Sequence, residues 1–327
     1  MTGVSDSFDR PINYLRISVT DRCNLRCSYC MPLEGIETLN HDDILRYEEI
    51  LNVAKAAAEV GISKVRLTGG EPLVRARLSS LIKMLAEVKG IDDLSLTTNG
   101  VLLDQLATEL KEAGLNRVNV SLDSLIPKKF KQITRVGKLE DVLGGIASAK
   151  ASGLSPIKIN MVVMRGVNDN EIVDFARKTV DDGWHVRFIE FMPVGEDQQE
   201  GRERFISIAE IVEHIESLGH LEPHKLDGNG PAKYFCLPGA SGTIGFISPV
   251  SEHFCFQCNR LRLTADGKLR PCLLSDDEIN LREPLRQGAS TDDLKKLIRQ
   301  AIDSKPECHN LKTGITAKNR SMCQIGG

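Results

Sequence analysis

Apolar and polar positions alternate between two periods through most of the chain. β-rich runs at 14–19, 64–68, 94–97, 117–122, 157–163 and 186–191 are separated by segments with helical spacing. Ile50, Val53, Ala57 and Val60 form one helical stripe, Leu78, Leu81, Ile82 and Leu85 a second, and Leu102, Leu106 and Leu110 a third. Gly61, Gly114, Gly153 and Gly183 follow such segments as helix stops, and Ser207 with Glu210 has the spacing of a capping box for a sixth helix reaching about 218. Six strands alternating with helices imply a parallel sheet. Right-handed crossovers leave an open doubly wound sheet or an incomplete barrel. The unusual residues favour the second, because Gly69-Gly70-Glu71-Pro72, Asn99-Gly100, Ser121 and Met192 lie at or after the C-terminal ends of different strands. A barrel brings those ends to one mouth. The expected fold is therefore α/β, a partial (βα)6 TIM-like barrel.

Beyond Pro223 the pattern changes. A Gly, Asn and Pro-containing loop at 224–231 leads into Gly-rich sequence with short apolar stretches, and Asp266-Gly267 is a hairpin signal between Leu261-Arg262-Leu263 and Leu269-Arg270. The expected division is a barrel over 1–222 and a smaller, irregular C-terminal region over 223–327.

Charge narrows the partners. With 42 basic and 45 acidic side chains in 327 residues, no global field points to nucleic acid or membrane, so local cations must carry any anion binding. The first twenty residues hold charges and a proline instead of an apolar core, and no apolar run approaches bilayer length, which predicts a soluble, cytoplasmic protein. In that compartment nine cysteines favour metal or cluster ligation over disulfides.

Those cysteines carry the chemistry. Cys23, Cys27 and Cys30 in CNLRCSYC supply three thiolates where a cubane iron-sulfur cluster needs four ligands, leaving one iron open. Zinc would want a fourth ligand, and His41, eleven residues past Cys30, is awkwardly placed; a disulfide is disfavoured by the odd count. Cys255, Cys258 and Cys272 form a second trio spanning the hairpin signal. Completed by Cys236 or His253 it would be a structural zinc ribbon, and left as three it again suits a cluster with an open iron. Arg260 and Arg262 alternate with Leu261 and Leu263 beside it, and two parallel guanidinium groups suit a polyanion such as a triphosphate.

CNLRCSYC followed by GGEP resembles the radical S-adenosylmethionine superfamily. The fuller set resembles the branch of it that cyclises GTP in molybdenum cofactor biosynthesis: YLRISVTDRCNLRCSYCMP from Tyr14, KVRLTGGEPLVR from Lys64, LTTNG from Leu96, VNVSLDS from Val118, IKIN from Ile157, RFIEFMPVG from Arg187, CFQCNRLRLTADGKLRPCL from Cys255, and the terminal Gly326-Gly327. The resemblance spans nearly the whole chain. It implies a lyase with two [4Fe-4S] clusters, one on Cys23, Cys27 and Cys30 that binds S-adenosylmethionine, the other on Cys255, Cys258 and Cys272 whose open iron holds guanine. A 5′-deoxyadenosyl radical would remove the 3′ hydrogen of GTP, and the ribose radical would attack C8.

By the same resemblance Tyr29, Gly70, Ser121 and Met192 contact S-adenosylmethionine, Arg16, Arg66, Thr97, Lys158, Arg187, Arg260 and Arg262 bind GTP, and Arg16, Gly326 and Gly327 act in catalysis. Gly70, lacking a Cβ, would let its backbone approach the methionine amino group. Lys64, Arg66 or Arg187 is expected to pair with a structural carboxylate such as Glu71 or Glu190. A low-potential electron donor and a downstream pyranopterin-forming enzyme are the implied partners, and a homodimer is compatible with the sequence. Cys236, Cys308 and Cys323 fall in no motif.

Overall fold

The computed structural model describes residues 3–192, 202–226, 230–309 and 319–326. Strands β1 (Tyr14–Ser18), β2 (Lys64–Thr68), β3 (Asp93–Thr98), β4 (Arg117–Ser121), β5 (Lys158–Val163) and β6 (His185–Glu190) alternate with helices α1 (Tyr47–Val60), α2 (Leu78–Ala86), α3 (Leu103–Glu112), α4 (Pro127–Thr134), α5 (Leu139–Ala151) and α6 (Ile172–Asp181). The six strands are parallel and pair in chain order, giving the expected partial (βα)6 barrel. Each strand sends alternate residues to opposite faces. Leu15 and Ile17 of β1 are buried in the core with Ile50, Val53 and Ala57 of α1, while Arg16 between them faces the lumen.

Later residues extend this sheet at both edges. Helix α7 (Ile208–Glu216) is followed by β7 (Glu222–His224), β8 (Lys233–Cys236) and β9 (Thr243–Ile247), and β9 lies parallel to β6. Strand β10 (Arg260–Leu263) lies parallel to β1 with Leu261 opposite Leu15, and β11 (Lys268–Arg270) and β12 (Ile279–Asn280) continue from it antiparallel. Eight adjacent parallel strands thus run β10-β1-β2-β3-β4-β5-β6-β9. After α8 (Arg282–Arg286), helix α9 (Thr291–Asp303) packs on α1. Among the described residues no helix is long and apolar enough to cross a membrane.

Local signals fare well with one exception. Gly61, Gly114, Gly153 and Gly183 all have positive φ, and Gly267 turns the β10–β11 hairpin at φ +79°. Ser207 caps α7 by accepting from the Glu210 N–H at 3.3 Å, but the reciprocal arm of the expected box is missing. The Glu210 carboxylate is instead gripped by Arg165 through two bonds of 2.7 Å.

If β10 is integral to the barrel sheet, loosening it must loosen β1. Leu261→Ala removes a fully buried side chain at a cost of about 2–5 kcal/mol. Amide hydrogen exchange at Leu15 and Ile17 should accelerate together with β10; acceleration confined to residues after 222 would contradict this coupling.

Candidate active site

The loop after β1 carries Cys23, Cys27 and Cys30, and backbone bonds hold it on two sides. Arg26 and Ser28 donate their N–H groups to the carbonyls of Thr134 and Ile133 at the end of α4, at 3.1 and 2.9 Å. On the other side the Gly70 N–H donates to the Thr20 carbonyl at 2.7 Å and the Glu71 N–H to the Arg22 carbonyl at 2.8 Å. This approach explains the glycine pair. A Cβ on Gly70 would lie 2.3 Å from the Arg22 oxygen and one on Gly69 2.5 Å from the Thr20 oxygen. The bare backbone at Gly70 is thus required by the cysteine loop itself, whatever else lies in the cavity that Gly70 also lines.

Glu71 completes the clamp. Its buried carboxylate accepts from the Leu73 N–H, the Thr98 hydroxyl and the Asn99 N–H, and Asn99 donates onward to Asn24 at 2.7 Å within the cysteine loop. Burial raises Glu71 to about 7. Glu190 likewise accepts from backbone N–H groups, those of Ile208, Val250 and Ser251. Among the described residues the expected pairing of Lys64, Arg66 or Arg187 with one of these acids does not occur; backbone and hydroxyl donors occupy the carboxylates instead.

A cavity of about 320 Å³ opens at the C-terminal ends of the strands and is lined by all six motif cysteines. All six are free thiols. Burial pushes Cys23 up to about 11 and raises Cys27, while Cys30 is raised by a hydrogen bond with Cys323 and then by burial. Neutral buried thiols at an open cavity become thiolates once a metal supplies compensating charge. Among the described residues no three His, Cys, Asp or Glu side chains gather closely enough to hold a single ion. The three free thiols of the loop after β1 are a donor set that fits a [4Fe-4S] cluster with one open iron. Cys236 does not join the second trio, since it lies on β8 with its thiol directed to the Gly242 carbonyl.

Cations occupy the lumen. Arg262, Arg16 and Arg66 are in register across β10, β1 and β2, and Arg187 stands beside Asn160 of β5. Arg66 donates to the Ser95 hydroxyl at 3.1 Å, Arg187 to the Asn119 side-chain carbonyl at 2.5 Å, and Arg262 to the Gly326 carbonyl at 3.0 Å. Among the described residues none of Arg66, Arg187, Arg260 and Arg262 is paired with a carboxylate. Burial, with nearby guanidinium groups adding to it, lowers Arg66 and Arg262 to about 10 each. Burial, reinforced by Arg187, Arg117 and Arg66, brings Lys158 down to about 7.

Of the residues singled out in the sequence, Arg16, Arg66, Thr97, Arg187, Arg260, Arg262, Tyr29, Gly70, Ser121 and Met192 all line this cavity with the six cysteines. Lys158, at the start of β5, lies deeper, with its ammonium 5.4 Å from the Tyr234 ring. Gly326 reaches the ends of β1 and β2, where a Cβ would lie 2.7 Å from Thr68, and Gly327 lies outside the described residues. Four of the lining residues that sequence reasoning missed are polar or carry a thiol and have contacts that bear on the site. Asp123 accepts from the Tyr29 hydroxyl at 2.7 Å, Asn160 turns a buried carbonyl oxygen without a partner into the wall, Cys323 touches Cys30, and Lys305 touches the second trio. Asp123 and Asn160 sit inside VNVSLDS and IKIN; nothing local marked Cys323 or Lys305.

A barrel of this topology, with a three-thiol loop clamped by a GGEP turn at its mouth, defines the radical S-adenosylmethionine class, and the Radical SAM superfamily model matches residues 17–179 while that of Molybdenum Cofactor Synthesis C matches 184–311. The GTP 3′,8-cyclase of Desulforamulus reducens is 53% identical over 324 residues, 98% of this chain and 99% of that protein, and that of Thermodesulfovibrio yellowstonii 52% identical over 326 residues, 99% and 100%. The chain belongs to the GTP 3′,8-cyclase family. Among solved structures, Streptococcus suis SuiB bound to precursor peptide SuiA superposes with a TM-score of 0.66 at 15% identity, covering 96% of this chain and 76% of that one, and SuiB bound to S-adenosylmethionine with 0.62 at 16%, covering 88% and 68%. These likenesses concern the fold.

Gly70→Ala should push the GGEP turn off the cysteine loop. Iron bound by the reconstituted protein should fall while far-UV circular dichroism stays close to that of the parent. Full iron loading would show that the close approach is not needed.

Proposed function

We propose that this enzyme cyclises GTP to (8S)-3′,8-cyclo-7,8-dihydroguanosine 5′-triphosphate, the first step of molybdenum cofactor biosynthesis. The observation that carries this reading is one cavity lined by two three-thiol sites and a row of buried guanidinium groups. A [4Fe-4S] cluster with S-adenosylmethionine on its open iron supplies, when bound, a carbon radical strong enough to abstract a ribose hydrogen. The chain's own residues place and isolate the reactants.

Cys23, Cys27 and Cys30 would hold the first cluster, with Tyr29, Gly70, Ser121 and Met192 around S-adenosylmethionine; Tyr29 is steadied by Asp123 and by edge-on contact with Phe191 at 6.4 Å. Cys255, Cys258 and Cys272 would hold a second cluster facing the guanine. Between them Arg16, Arg66, Arg187, Arg260 and Arg262, with Thr97, would neutralise and orient the triphosphate, relieving their mutual repulsion. Arg262 donates to the Gly326 carbonyl, so the tail and the substrate site share one guanidinium. We assign Arg16, Gly326 and Gly327 to the steps that follow ring closure. A low-potential donor would supply the electron, a cytoplasmic pyranopterin-forming enzyme would consume the product, and a homodimer is compatible with this site. A peptide substrate would leave the buried guanidinium row without a use.

Anaerobic reconstitution with iron and sulfide, followed by dithionite, S-adenosylmethionine and GTP, should yield 5′-deoxyadenosine together with a GTP-derived cyclic nucleotide. S-adenosylmethionine cleavage with GTP neither bound nor consumed would overturn the assignment. Arg262→Ala should weaken GTP binding by about 1.5–3 kcal/mol, the loss of a charge-assisted bond, and spare uncoupled S-adenosylmethionine cleavage; unchanged affinity would remove Arg262 from the site.

Lys158 adds a pH dependence. Its folded pKa of about 7 is set by burial and neighbouring cations, so a bound polyanion raises it and GTP binding takes up a proton. Affinity for GTP should fall as pH rises above about 7. Lys158→Met should bind more weakly and flatten the profile; a parent profile already flat from pH 6 to 9 would sink this assignment.

A further inference from the structure

Lys305 lies just after α9, outside every motif above, and is only 3% exposed. A lysine ammonium has three N–H donors and no acceptor. Each donor here has a partner: Nζ donates to the Arg260 carbonyl at 2.9 Å, to the Pro271 carbonyl at 2.6 Å, and to the Cys258 sulfur. Arg260 is two residues past Cys258 and Pro271 immediately precedes Cys272, so the ammonium joins the two backbone arms that carry the second trio. Lys305 lines the cavity, yet its donors are spent on the protein, which distinguishes it from a phosphate-binding lysine.

Arg10 sharpens the comparison. It ties the same region together, donating to the carbonyls of Cys255, Glu307 and Pro306 at 2.7–2.8 Å, but its charge is balanced by Asp6 at 2.6 Å. Among the described residues Lys305 has no carboxylate partner. Its charge is directed at a thiol. A cluster held by thiolates gains one negative charge on reduction, so a fixed adjacent cation favours the reduced state, and the more so in a buried site.

We infer that Lys305 is the positioning residue of the second cysteine site: it clasps the Cys258 and Cys272 arms and, as a fixed counter-charge at Cys258, raises the reduction potential of the cluster they hold. The inference rests on the second cluster proposed above. It gives the second site a built-in bias toward holding an electron.

The test uses the full chain, anaerobically reconstituted, with iron analysis and an electron paramagnetic resonance redox titration of the parent, Lys305→Met and Lys305→Arg. Lys305→Met should either lose the second cluster's iron, leaving one cluster that still responds to S-adenosylmethionine, or keep it with a midpoint potential shifted negative. Lys305→Arg, which retains the charge, should restore most of the potential. Lys305→Gln replaces Lys305→Met if circular dichroism finds the latter unfolded. Two clusters with unchanged potentials and spectra in the uncharged variant would overturn the role of Lys305 alone. Iron for only one cluster in the parent would instead remove the second cluster, and this inference with it.

Discussion

A row of buried guanidinium groups is an unstable thing to build into the middle of a sheet. Arg262, Arg16 and Arg66 stand side by side on three adjacent parallel strands, and burial together with mutual repulsion depresses their basicity. Hydroxyl, amide and carbonyl oxygens satisfy part of the hydrogen-bonding capacity of Arg66, Arg187 and Arg262 without cancelling charge. A polyanion such as the triphosphate of the proposed substrate would supply the charge that these oxygens do not. The outward-facing partners on the same strands, Leu15, Ile17, Leu261 and Leu263, are fully apolar and buried, so the sheet's own stability comes from its other face. That separation lets the inner face be tuned for a ligand at little expense to the fold.

The second requirement is that two cysteine loops far apart in the chain line one cavity with that row. The first is fixed by backbone hydrogen bonds to the GGEP turn and the end of α4, with Glu71 spending its charge on N–H groups and a hydroxyl and none on a cation. The second is brought in by β10, which pairs with β1 and so sets Cys258 near the start of the strand that ends in the first cysteine loop. Lys305 and Arg10 then fasten its ends to the segment after α9. Both loops depend on main-chain contacts, which tolerate little displacement.

Six strands and the helices between them were legible because their apolar periods are unambiguous and four of the helices, α1, α3, α5 and α6, are followed by a glycine with positive φ. The six cysteines were legible because ligand spacing is a local property. Arg16 and Arg187 stood out as cations flanked by apolar residues, a pattern that has meaning only in a strand with one face in a lumen. The β9 strand was missed because its Gly-containing sequence has no clear period, and its place beside β6 depends on a pairing remote in sequence. Glu210 was misread for a related reason: its cap partner is local, but Arg165, which captures its carboxylate, is not.

Sequence alone determined the barrel units, the two thiol trios and the surplus of cations among apolar strand residues, because each follows from spacing along a few consecutive residues. It left undecided whether the two trios share a site, what Gly70 and Glu71 do, and whether Cys323 and Lys305 matter. Those were decided by tertiary structure, since a parallel sheet pairs strands hundreds of residues apart and a 2.3 Å conflict at a Cβ, or a third acceptor for an ammonium, exists only once distant backbones meet.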